Sequence, residues 1–242
     1  MFYERKKKKQ KKKTSPKEPE PDPELFRLLS LNPWESSQRQ LYDNQAVEKV
    51  VMANPDAVCC KYEFKAPGRG TLCRYPLYRA VSLGATLTVV QLMHAACPDA
   101  IREESKFRST PLHAACAYRA TIDVIEYILQ HAPESVMVQT KHGYTPLHNA
   151  CEYGVSSSQV ITLLIDAYPE ALMIRNKLGK TPYETALRNS ADPIILDILV
   201  KYEAKLDGEH RRQHRHDGKS IGDTDSTLDE LSSSLRPMDI DD

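Results

Sequence analysis

The chain has 242 residues, 33 basic against 33 acidic side chains, and a hydrophobic content of 40%. That apolar share is too low for every residue to join a packed core, so one or two domains with unpacked ends are expected. No apolar run reaches the ~18–20 residues that span a bilayer. The basic start leads into Thr, Pro and Glu rather than an apolar stretch, so no secretory signal is expected either. Six cysteines in that context point to free thiols in a reducing compartment, cytoplasmic or nuclear.

The neutral total hides opposite ends. Arg5 to Lys13 is basic at every position but Gln10, whereas Asp217 to Asp242 carries eight acids against Lys219 and Arg236. A run such as Arg5–Lys13 serves as a nuclear-import signal, as a weak contact for nucleic acid or another polyanion, or as a solubilising tail. Residues 14–24, "TSPKEPEPDPE", are a Pro/acidic linker unable to bury a core. Residues 1–24 are therefore read as a disordered tail.

From residue 25 to 205 proline sets a ruler. Pro76, Pro111, Pro146 and Pro182 are spaced 35, 35 and 36 apart, and Pro98, Pro133 and Pro169 follow the first three by 22, 22 and 23. Run backwards, the rule pairs Pro55 with Pro33, so five units start near 32, 75, 110, 145 and 181. An eight-residue insertion is expected within 57–75, around "APGRG".

Each unit reads as two helices. Thr110, Thr145 and Thr181 are natural N-caps with proline at the first helical position. His113, His148 and Glu184 fall where a side chain reaches back to the cap, and Thr181 with Glu184 is a literal capping box. Asn32 and Glu35 in "NPWE" read the same way, while Tyr75 leaves the second unit without a capping side chain. Small residues recur in register at Ala80, Ala115, Ala150 and Ala186, followed by Val81, Cys116, Cys151 and Leu187. Second helices carry Val89/Val90, Val124/Ile125, Val160/Ile161 and Ile195/Leu196 at the spacing of a buried face.

"GYTPLHNACEYG" followed by an apolar helix resembles the ankyrin repeat, well over 75–202 and weakly over 32–55. The turns "PDA", "PES" and "PEA" also resemble ankyrin arrays common in algae such as diatoms. The resemblance implies an all-α ankyrin-repeat solenoid of about five helix-turn-helix units. It further implies protein–protein recognition through a concave face and loop tips, with no chemistry. Mapped onto this chain, the implied contact residues are Arg79, Tyr118, Asn149, Glu152 and Tyr153 on first helices. The loop tips add Lys106, Lys141, His142, Asn176 and Lys177. Arg119 and Ser190 stand where the family prefers glycine.

Other chemistries fare worse. His113/Cys116 and His148/Cys151 form an arithmetic zinc set, yet equivalent side chains of stacked repeats project in parallel about 8–10 Å apart and cannot converge on one ion. No nucleotide loop, metal set or catalytic triad is found, so no enzyme, cofactor or small-molecule substrate is expected. Residues 206–242 lack apolar periodicity and read as a disordered tail; His210, His214 and His216 there form at most a weak metal site beside a solvated basic patch. Ser15, Ser220, Ser226 and Thr227 are candidate phosphate acceptors, and Cys59, Cys60 and Cys73 the more accessible thiols. The alternative function is a nuclear, polyanion-associated protein that binds through the Lys-rich start.

Overall fold

Proline fixes its own φ and lacks an N–H, so a capped proline starts a helix at no hydrogen-bonding cost. In the computed structural model, which describes residues 19–66, 70–153 and 157–217, a proline opens every inner helix, behind a capping side chain in four of the five. The five are α1 (Pro23–Leu29), α4 (Pro76–Leu83), α6 (Pro111–Ala117), α8 (Pro146–Glu152) and α10 (Pro182–Arg188). The outer helices are α3 (Asn44–Ala53), α5 (Leu87–Ala96), α7 (Ile122–His131), α9 (Ser158–Ala167) and the start of α11 (Pro193–Asp217). The second proline set opens four 3₁₀ turns, Pro55–Cys59, Pro98–Arg102, Pro133–Met137 and Pro169–Met173.

Inner helices pack in series, α4 on α6, α6 on α8 and α8 on α10, and outer helices likewise from α3 to α9. Ala80, Ala115, Ala150 and Ala186 are buried at these inner contacts, where a methyl group lets two helices approach. The apolar pairs of the outer helices face inward: Val89, Val90, Val124, Ile125, Val160 and Ile161 are buried. Leu187, in register with the buried Cys116 and Cys151, is 56% exposed. It lies on α10, the last inner helix among the described residues.

The first unit differs from its expected register. Its inner helix is α1, which packs on α3 and α4 and buries Leu25 and Leu29. Asp22 caps it, accepting hydrogen bonds from Glu24 N at 2.9 Å and Leu25 N at 3.0 Å. The unit therefore begins at Asp22–Pro23 and not near Asn32, because about ten extra residues separate its two helices. Those residues hold "NPWE" and the short helix α2 (Ser36–Arg39). Asn32 does bond Glu35, at 2.7 Å, but its Oδ1 accepts from Trp34 N in a local turn, and α2 starts at Ser36 without a side-chain cap.

The expected insertion is an antiparallel hairpin, β1 (Tyr62–Ala66) with β2 (Gly70–Arg74), pairing Phe64 with Leu72. Period-two alternation buries Tyr62 and Phe64 while Glu63 and Lys65 face solvent. Phe26 of α1 stacks on both buried rings.

At the other end, Asp192 caps α11 through Ile194 N at 2.8 Å, and Ile195 and Leu199 are buried. The stretch through Glu203 belongs to the array; from Ala204 the chain forms a separate unit. Helical backbone continues to Asp217, past the boundary drawn at 205. "EHRRQHRH" has no apolar stripe, yet contains several good helix formers. Residues 1–18 and 218–242, with the Lys-rich run, Ser15, Ser220, Ser226 and Thr227, lie outside the described residues.

Candidate functional site

Each loop between units folds back as a finger. In the third unit's finger Ser105 N–H donates to Ser109 O and Arg108 N–H to Ser105 O; 140–144 and 176–180 repeat the pattern. The fourth residue of each finger is left-handed: Arg108 at φ 58°, Gly143 at 78° and Gly179 at 72°. Two side chains are thereby placed at each tip, Lys106–Phe107, Lys141–His142 and Lys177–Leu178. Adjacent fingers are zipped together by Lys141 N–H to Phe107 O, 2.9 Å, and Lys177 N–H to His142 O, 3.0 Å.

The cap residues connect fingers to helices. Thr110 Oγ1 accepts from His113 N, and His113 Nδ1 receives the Thr110 N–H at 3.3 Å. The same ring's Nε2–H donates to Tyr144 O of the next finger at 3.1 Å. His148 repeats this with Thr145 and with Lys180 O at 3.0 Å. Both imidazoles are neutral bridges between units, and burial pushes His113 down to about 4. In the fifth unit Glu184 accepts from Thr181 N at 3.1 Å. In the second, where no capping side chain is present, the carboxylate of Glu103 accepts from Tyr75 N at 3.2 Å. Glu103 also pairs with Lys61 at 3.4 Å.

With both ring nitrogens occupied, neither histidine has a lone pair for a metal. Cys116 and Cys151 are buried, and desolvation raises both thiols, Cys151 to about 12. Among the described residues no group of three or more His, Cys, Asp or Glu gathers as a metal site. Among them also, no helix is long and apolar enough to cross a membrane.

Fingers and inner helices enclose a groove of about 650 Å³. One wall is the stripe four residues before each inner-helix proline: Leu72, Phe107, His142 and Leu178. The floor is inner-helix surface, including Tyr78, Asn149 and Glu152. A third side is the strap between α1 and α3, which brings Trp34 over the floor. The Trp34 ring lies 4.8 Å from Tyr118 and 5.3 Å from Tyr153, and Arg39 fastens the strap by donating to Tyr118 O at 2.9 Å.

The residues implied by resemblance thus divide. Tyr118, Asn149, Glu152, Tyr153, His142 and Lys177 line the groove. Glu152 accepts from Tyr144 Oη at 3.4 Å, and burial holds its carboxyl above the usual range. Asn149 donates to His113 O at 3.2 Å. Lys106 and Lys141 are exposed at their tips. Arg79 also lines the groove but is not an exposed contact: it is 6% exposed, donates to Leu29 O at 3.0 Å and to Leu31 O, and sits 5.0 Å from the Phe64 ring. Its guanidinium satisfies carbonyls left open where α1 ends. Asn176 is likewise 5% exposed, its Oδ1 accepting from Leu178 N and Lys180 N to shape the finger. Trp34, Leu72, Phe107 and Leu178 were not marked by sequence reasoning. The last three share a register position that would have exposed them; Trp34 carries no periodic signal.

Paired short helices joined by zipped fingers, with a Thr-Pro-Leu-His cap bridging neighbours, define an ankyrin-repeat array. A family model of three ankyrin repeats matches residues 77–171, the second unit to the fourth, so this stretch of the chain is built of ankyrin repeats. No curated protein matches the sequence. Ankyrin repeats generally mediate protein–protein interaction and are typically non-enzymatic.

Proposed function

We propose that the groove binds a segment of a partner protein, with the finger tips and the Trp34 strap as its two sides. The observation that carries this reading is the lining. Phe107 and Leu178 stay 42% and 63% exposed beside Tyr118, Tyr153 and Trp34, although a large apolar side chain gains about 1.5–3 kcal/mol on full burial. Aromatic anchors in a concave surface are where interface energy concentrates. The groove's size also suits a few buried side chains of a ligand.

The test compares partners retained by wild-type protein with those retained by Tyr118→Ala/Tyr153→Ala protein of unchanged helix content. Partners lost with the two rings support the groove; an identical partner set overturns it.

A further inference from the structure

The finger tips carry a second periodic feature that the apolar lining does not use. Lys106, Lys141 and Lys177 each stand five residues before an inner-helix proline and are exposed. The zipping bonds from Lys141 N and Lys177 N hold the backbone at these positions in step from finger to finger. A second cleft, about 500 Å³, shares Lys177 with the groove and is lined by Arg108, Lys141 and Arg175. Arg108 and Arg175 are paired with Glu104 and Glu184, whereas Lys141 and Lys177 form no salt bridge among the described residues. The groove's lining holds Lys65, Arg74, Arg79 and Lys177 against a single carboxyl, Glu152. The finger tips therefore carry a row of lysines at the groove's rim: Lys177 lines the groove itself, and Lys106 and Lys141 stand next in sequence to its wall residues Phe107 and His142.

The spacing of the row selects the ligand's backbone. Packed helices, and the fingers they carry, repeat at about 8–10 Å. A β-strand presents one face every second residue, at about 6.6 Å, and misses this step. A polyproline II helix presents the same face every third residue, at about 9.3 Å, and matches it. Its preformed, hydrogen-bond-free backbone is also the kind that aromatic-lined grooves recognise.

We propose that the partner segment is an acidic polyproline II stretch with carboxylates at every third position, each facing one finger lysine. This rests on the groove being the binding surface and specifies what it binds.

The test is anisotropy of fluorescein-labelled (Glu-Pro-Pro)4 with the full chain at moderate salt. Saturable binding is expected, weakened about tenfold or more by Lys141→Glu with Lys177→Glu. A peptide of equal composition, four glutamates followed by eight prolines, should lose a similar factor. This control matters because the basic run at 5–13 attracts any acidic peptide without regard to spacing. Lys141→Ala with Lys177→Ala, checked by circular dichroism, should weaken binding without a charge reversal. Equal affinity for the block peptide, indifference to the lysine variants, or no binding overturns the proposal. So does tighter binding of a helical peptide with glutamate at every seventh residue, or of a twelve-nucleotide oligothymidylate. Those failures leave the groove itself standing, since partner loss on removing Tyr118 and Tyr153 is decided separately.

Discussion

The indole of Trp34 is packed against the rings of Tyr118 and Tyr153, 4.8 and 5.3 Å away, although 84 and 119 residues separate them in sequence. This contact joins the first unit to the third and fourth and closes one side of the groove. Trp34 is the one tryptophan of the chain, so its emission reports the contact. Tyr118→Ala with Tyr153→Ala should shift that emission to longer wavelength and lower stability by about 1–3 kcal/mol, two aromatic contacts' worth. Unchanged emission would place the strap elsewhere.

Arg79→Ala should destabilise the array by about 2–3 kcal/mol, because the carbonyls of Leu29 and Leu31 lose a charged donor. Urea unfolding measures it. A change below about 0.5 kcal/mol would mark Arg79 as an ordinary surface residue.

His113 gives the array a pH dependence with a definite sign. Burial lowers it from 6.5 to about 4 and also lowers His148. Between those values the unfolded chain binds more protons than the folded one, so these groups contribute stability above pH 6.5 that is lost as pH falls towards 4. Melting temperature should drop through this window, and His113→Gln should flatten the drop while lowering the plateau. An equally steep fall in the variant would assign it to other groups.

Backbone handedness predicts opposite signs at two loops. Ser190 is left-handed at φ 53°, so Ser190→Gly should stabilise by about 0.5–1 kcal/mol. Gly143 is also left-handed, and a Cβ there would come 3.0 Å from Asn176 Cα and Lys177 N. Gly143→Ala should therefore cost about 1–3 kcal/mol and unzip two fingers. Thermal melts decide both; stabilisation by Gly143→Ala would contradict the finger geometry.

What the sequence made legible was whatever repeats. Threonine, proline and the third-position His or Glu mark inner helices because a cap is a local, three-residue event. The paired apolar residues mark outer helices because one face is buried. Departures from the period were opaque for the same reason. Pro33 kept the ruler's distance from Pro55, but the helix formed at Pro23, where Asp22 supplies a cap and Leu25 and Leu29 supply a buried face. "NPWE" copied a cap without an apolar stripe behind it, and became a strap. Arg79 sits on an inner helix like the exposed contacts of other units, and only the end of α1 beside it makes it structural. The hairpin's alternation, Tyr62 and Phe64 against Glu63 and Lys65, was present in the sequence but too short to stand out beside the helical period.

Partners are expected to meet the groove between fingers and inner helices. Photo-crosslinking tests it most directly, with a benzophenone amino acid at Phe107 or Leu178 in the groove, and at Met52 on the outer helix α3, which is 65% exposed. Partner adducts are expected from the two groove positions and none from Met52. Adducts from Met52 with a silent groove would contradict it.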